Sequence, residues 1–173
     1  MGGRRKARAL ALQALYESDA VRHDAAKVIM RLLEGTELSE ENRAFAASLV
    51  SGVIQNREEI DRHIRNFARA WPLEQVAIVD RNILRLAIFE ILLDNEVSVK
   101  VAINEAVELA KTFGSDGSPK FVNGVWAQLV LLPLSRKFRK EENGNHLRTT
   151  QEDSSGAARR RGRRGNTVGQ ICG

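Results

Sequence analysis

Apolar residues recur along this chain at helical spacing almost from its start. Ala7, Leu10, Ala11, Ala14 and Leu15 stand at i, i+3, i+4, i+7 and i+8, which places them on one face of a helix. Val28, Ile29, Leu32 and Leu33 predict a shorter helix that stops at Gly35. Ser39 suits the N-cap of a third, whose buried face carries Phe45, Leu49, Val53 and Ile54. Ile60, Ile64 and Phe67 mark a fourth, ending before Trp71 and Pro72. The residue ahead of a proline is pushed out of the helical region, and Pro72 suits the first turn of a new helix.

The pattern changes between Ile78 and Leu93. Ile83, Leu84, Leu86, Ala87, Ile88, Phe89, Ile91, Leu92 and Leu93 leave this helix apolar almost all round, so it belongs at the centre of the molecule. Val99, Ala102, Ile103, Ala106, Val107 and Ala110 form the next stripe, closed by Gly114 as a C-terminal stop. Ser118 and Pro119 read as an N-cap with proline at the first helical position. The helix they open carries Phe121, Val122, Val125, Trp126 and Leu129 and fades at Pro133. No stretch alternates as a strand does, and no internal repeat stands out. The pattern predicts an all-α fold.

Length and composition narrow the class. The 173 residues, 43% of them hydrophobic, suffice for one domain, or one domain plus tails. No apolar run reaches the ~20 residues that span a bilayer. The nearest, Ile83 to Leu93, is broken by Arg85 and Glu90. The basic start leads into an Ala/Leu helix and carries no signal-peptide cleavage site. Cys172, the single cysteine, permits neither an intrachain disulfide nor a multi-cysteine metal site. These features predict a soluble, cytoplasmic protein.

The net charge of +5 is unevenly distributed. Residues 1–135 hold 17 Lys+Arg against 18 Asp+Glu, whereas residues 136–173 hold 10 against 4. Arg4, Arg5, Lys6 and Arg8 supply four of the 17, so residues 9–135 alone stand at −5. Two basic ends therefore flank a mildly acidic middle. A polyanion such as RNA is drawn to the ends, and a basic protein to the middle. Beyond about Arg139 large apolar residues almost vanish, and Arg159, Arg160, Arg161, Arg163 and Arg164 cluster around Gly162. Such a segment buries too little surface to offset its ordering entropy. The expected division is a helical domain over 1–138 and a disordered basic tail over 139–173.

Signs of catalysis are nearly absent. No Gly-rich phosphate loop and no dinucleotide-binding glycine pattern occurs. His23, His63 and His146 each stand far from a second candidate ligand, which predicts surface histidines, no metal and no cofactor. Glu40 and Glu41, like Glu58 and Glu59, lie near helix starts, where carboxylates favour the dipole. The expectation is a protein that is not an enzyme. Arg4, Arg5, Lys6 and Arg8 gather where the helix dipole disfavours positive charge, so either phosphate binding or a frayed, solvated end accounts for them. Tyr16 either stacks on a base or caps the apolar face. Lys111, Thr112 and the segment Lys120, Phe121, Val122 and Asn123 combine charge, ring and amide as readers of single-stranded RNA do, although Phe121 also fits a core position.

Four blocks carry a resemblance. The start Arg4-Arg5-Lys6-Ala7-Arg8, running on to Ala11-Leu12-Gln13-Ala14-Leu15-Tyr16, resembles the opening of the NusB family of bacterial transcription antitermination factors. The block from Val101 to Gly114 is similar to that family's signature helix. Lys120-Phe121-Val122-Asn123-Gly124-Val125 is similar to its last helix, and Ile83 to Glu90 to its central one. The likeness covers roughly residues 4 to 132. It implies two small helical bundles sharing a long, buried central helix. It also implies a non-catalytic adaptor that joins NusE, a small-subunit ribosomal protein, on the boxA element of nascent ribosomal RNA, helping the transcribing RNA polymerase resist termination. Carried over by position, the RNA-binding set is Arg4, Arg5, Lys6, Arg8, Tyr16, Lys111, Lys120, Phe121 and Asn123. Asp80, with Glu74 nearby, falls to the protein partner. Gly117 stands near a position where relatives carry an acidic residue. The sequence leaves two other readings open: an RNA-binding attachment of the kind that opens some ribosomal RNA cytosine methyltransferases, and a helical scaffold that binds only protein. Phe45, Phe67 and Trp71 are left open between core and a homodimer seam.

Overall fold

The structure, a computed structural model, describes residues 2–68, 71–94 and 97–131. Among them seven α-helices follow one another: α1 (Gly3–Val21), α2 (Ala25–Glu34), α3 (Glu40–Gln55), α4 (Arg57–Phe67), α5 (Ile78–Phe89), α6 (Val99–Phe113) and α7 (Ser118–Leu131). No strand occurs among the described residues. The expected boundary between 138 and 139 lies outside them.

Helices α1, α2 and α3 pack on one another as a first bundle, and α4, α5, α6 and α7 form a second. Helix α5 also contacts α1 and α3, so the two bundles share it. Ile83, Leu84 and Ile88 are fully buried, and Leu86 and Ala87 nearly so, as an apolar circumference requires. Each such Leu or Ile contributes roughly 1.5–3 kcal/mol by leaving water. Ala7, Ala11 and Ala14 on α1 have no exposed surface, and their small side chains permit close helix approach.

Several stop and start signals act as the sequence suggests. Gly35 follows α2, the Ser39 hydroxyl accepts from the Asn42 amide at the head of α3, and Gly114 closes α6. Two signals act differently. After Pro72 only a short 3₁₀ turn forms (Leu73–Gln75), and α5 begins at Ile78. The Ser118 hydroxyl turns back to accept from the Ser115 amide (2.9 Å) and fills the space a side chain at position 114 would need. Helix α5 ends at Phe89 and continues as a wider π turn over Glu90–Asp94.

A polar cluster joins the bundles. Arg85 on α5 donates two hydrogen bonds to Asp61 on α4 (2.7 and 2.8 Å) and one to Asp19 on α1 (2.6 Å). Asp19 also accepts from Arg57 (2.6 Å) and Asn82 (3.2 Å). Burial pushes the Asp19 carboxyl up, but the charges of Arg85 and Arg57, with hydrogen bonds from Arg85 and Asn82, hold it below the usual range. Charge-assisted pairs of this geometry fix the register between α1, α4 and α5.

Candidate nucleic-acid and protein interface

The cationic start of α1 does not stand free. Arg4 pairs with Glu41 of α3 (2.7 Å) and lies over the Phe45 ring, 4.2 Å from its centroid. Arg5 reaches α6, where Glu105 accepts two hydrogen bonds from it (2.7 and 3.0 Å), with Glu108 3.9 Å away. The Lys6 ammonium donates to the Glu37 carbonyl (3.3 Å). Phe45, buried beneath Arg4 and Arg8, belongs to the core. The side chain of Phe67 lies outside the described residues.

Arg8, expected among the RNA contacts, lies largely beneath the surface. It is only 4% exposed, and its guanidinium donates to both Glu90 oxygens at 2.7–3.1 Å. Glu90, at the end of α5, is 2% exposed. Position 8 falls on the inward face of α1, one turn after Arg4 and Arg5, so its charge is answered from inside the protein. Through this pair Arg8 braces the helix that carries the other cations.

Lys111 is exposed and pairs with Glu108 (2.7 Å). Glu108 stands between it and Arg5, and the structure thus gathers Arg5 and Lys111 around two carboxylates of α6. The Arg5 hydrogen bonds are the largest influence holding Glu105 below the usual carboxylate range, and those of Lys111 act likewise on Glu108. Every described arginine at the start of α1 is thereby charge-compensated. A phosphate approaching Arg4 or Arg5 has to compete with a carboxylate.

A second feature is a cavity of about 810 Å³ between the loop after α4, the head of α5 and the head of α7. Trp71, Lys120 and Phe121 line it, with Asp80, Gln75 and Ser118. Asp80 sits in the first turn of α5, where the dipole favours a carboxylate. It is 7% exposed, and its Oδ1 finds no donor among the described residues. Lys120 and Asn123 are exposed on the first turns of α7, and Phe121 is half-buried. Glu74 is exposed outside this lining and pairs with Arg65 (3.5 Å). Tyr16 is also exposed, on a groove of about 510 Å³ with Leu12, Val21, Val79 and Phe113. Apart from Glu74, the predicted residues thus fall in three places: the head of α1 with α6, the cavity with the head of α7, and the Tyr16 groove.

Sequence reasoning missed Glu105 and Glu108 as the partners of the cations, and it left Trp71 undecided. The exposed histidine His23 lies 2.8 Å from Glu17, and His63 lies 4.0 Å from Glu59. Among the described residues no three metal-ligating side chains converge, and no helix is long and apolar enough to cross a membrane.

An all-helical pair of bundles around one buried helix, with a cationic helix start and a ring-lined cavity over an acid, defines a helical binding protein. Residues 5–130 match the model of the NusB family. The chain is 54% identical over 139 residues to the transcription antitermination protein NusB of Dehalococcoides mccartyi, covering 80% of this chain and 97% of that protein. It is 47% identical over 137 residues to its counterpart in Herpetosiphon aurantiacus, covering 78% and 94%. The solved structure of T. maritima NusB superimposes with a TM-score of 0.64 at 33% identity, covering 70% of this chain and 86% of that one. A structure of the antitermination factors NusB and NusE in complex with dsRNA aligns at a TM-score of 0.66 and 26% identity, covering 73% and 95%. This chain belongs to the NusB family of transcription antitermination proteins.

Proposed function

We propose that this chain is a non-catalytic adaptor, needing no cofactor, that binds boxA-type single-stranded RNA of nascent ribosomal transcripts jointly with NusE. In the cytoplasm, where transcripts emerge, it helps RNA polymerase resist termination. Arg4, Arg5, Lys6 and Lys111 attract phosphates, while Tyr16, Phe121 and Asn123, with Lys120, meet bases and backbone. Asp80 and Glu74 face the basic partner. Arg8 acts by bracing α1. The arginines between 159 and 164, outside the described residues, add sequence-independent affinity through counterion release.

The observation that carries this reading is the cavity at α7. Its lining combines Lys120 and two aromatic rings with Asp80, a buried carboxylate whose Oδ1 lacks a donor. An unanswered buried acceptor of this kind costs about 1–3 kcal/mol, which a cationic partner side chain relieves. The family relatives, named as antitermination proteins, and a relative solved with NusE and dsRNA support the same assignment. RNA and partner then share one surface, and each must raise the other's affinity by the same factor.

The test is titration of a labelled boxA-type RNA with this protein, with and without NusE, at two salt concentrations. Joint binding predicts tighter, sequence-selective association when NusE is present. Weak, sequence-blind binding that NusE leaves unchanged and salt abolishes would refute the adaptor reading. Truncation after Lys140 tests the arginine-rich segment separately: the expected result is a shallower salt slope, and an unchanged one removes that role.

A further inference from the structure

Trp71 is a large apolar side chain left in solvent. It is 59% exposed, in the loop between α4 and the 3₁₀ turn that precedes α5. Its ring stands nearly perpendicular to that of Phe121, at 82° with centroids 6.0 Å apart. In such an edge-to-face pair Phe121 covers at most one face of the indole, so the other stays open whichever ring supplies the edge. Gly124, one helical turn after Phe121, leaves open space where a side chain would stand. Lys120 shares the cavity lining, and its charge suits the phosphate adjoining a seated base.

We propose that Trp71 is a base-stacking residue: one unstacked base of single-stranded RNA lies on its open indole face, in a slot backed by Phe121. Singly exposed aromatic side chains beside a lysine are how proteins hold unstacked bases without reading their edges. This inference rests on the RNA-binding function proposed above and adds a residue to it. Trp71 contributes affinity through its π-face, whereas Arg4, Arg5 and Lys111 contribute through charge. The two contributions separate experimentally, because only the second sets the salt slope.

Trp71 also reports on its own occupancy. Trp126, the other tryptophan, is 2% exposed, so a change in indole emission caused by surface contact comes from Trp71. The experiment follows tryptophan emission and the anisotropy of a labelled boxA-type single strand in one titration of the full chain. Parallel titrations use NusE alone and the same RNA as a duplex. The expected result is quenching that tracks RNA anisotropy, weak quenching by the duplex, and about a tenfold loss of single-strand affinity in Trp71→Ala at unchanged salt slope. Trp71→Phe, which keeps a ring, retains most of the affinity. Anisotropy that rises while emission and Trp71→Ala affinity stay constant overturns the stacking role and leaves the RNA-binding reading intact. Equal quenching by the duplex overturns it too, since paired bases offer no free face. Quenching by NusE alone that RNA then leaves unchanged, or quenching on raising protein concentration without RNA, overturns it by making Trp71 a protein contact. An absence of any anisotropy change removes the RNA-binding reading and this inference with it.

Discussion

Truncation of Arg8 separates bracing from RNA contact. Arg8→Ala leaves Glu90, 2% exposed, without the two-oxygen partner it has at 2.7–3.1 Å. Phe45 also loses the guanidinium 5.1 Å above its ring. Breaking a buried pair from one side costs about 3–5 kcal/mol, because the remaining charge is stranded. Against a total stability of roughly 5–15 kcal/mol, that is a large fraction. Replacing both members, as Arg8→Met with Glu90→Leu, strands no charge and is expected within about 1–2 kcal/mol of the parent. Urea unfolding followed by far-UV circular dichroism reads both: with a slope of roughly 2 kcal/mol per molar, the single variant's midpoint falls by about 2 M. The folded double variant keeps parental RNA affinity within about twofold, whereas Arg4→Ala, removing a surface cation, loses more. An Arg8→Ala protein with the parental urea midpoint and weakened RNA binding would refute this reasoning, since the parent's guanidinium would then be reaching solvent.

Three further outcomes follow from named contacts. Asp19→Asn removes the anion shared by Arg85 and Arg57, and costs about 3 kcal/mol at pH 7. The folded-state pKa of Asp19 lies below its unfolded value of ~3.9, so this contribution is full above about pH 4 and lost as pH falls through the folded value. Thermal unfolding should therefore separate parent and variant at pH 7 and bring them together in strong acid; an equal gap at both would contradict the linkage. Glu105→Gln takes away the carboxylate that competes for Arg5, and RNA affinity at low salt is expected to rise about two- to fivefold. Weaker binding measured by anisotropy would mean instead that Glu105 orients Arg5 for the RNA. Gly52→Ala places a methyl group inside the Phe89 ring and should cost about 1–3 kcal/mol or more by calorimetry; a neutral result would show that Phe89 repacks freely.

The helices were legible because their signals are local. Apolar spacing, a glycine at 35 or 114 and a serine at 39 each act within a turn or two of where they stand. The uniformly apolar stretch around Ile83 announced a central helix for the same reason, since only burial on most sides accommodates it, whereas its sharing between two bundles came from the family resemblance. What remained hidden depends on distant partners. Arg8 and Glu90 are 82 residues apart, and Arg5 and Glu105 are 100 apart, so a run of cations could be counted while their neutralisation could not. Ser118 carried an N-cap signal, yet its hydroxyl serves the preceding loop at Ser115. Trp71 had no periodic neighbour to assign it inward or outward, and only the packed chain shows its indole in solvent.

The compensated cations bear on how such a surface discriminates. An arginine in water binds any phosphate, whereas Arg4 and Arg5 each already hold a carboxylate, so a generic polyanion gains from them only the difference between two ion pairs. Net affinity must then come from contacts that a generic polyanion lacks, and the ring-lined cavity beside Lys120 supplies a place for them. That cavity also contains Asp80, whose negative charge repels an incoming phosphate for as long as nothing covers it. A basic partner that donates to Asp80 removes the repulsion and satisfies the stranded acceptor together. The sign of the coupling is fixed by these charges: the partner improves RNA binding, and by linkage RNA improves the partner's by an equal factor. Neutralising the acid without adding a partner, as in Asp80→Asn, is accordingly expected to strengthen binding of RNA alone while shrinking the gain that the partner confers. RNA affinity measured with and without NusE for both chains checks the two effects together, and a variant that kept the full gain would place the coupling somewhere other than this carboxylate.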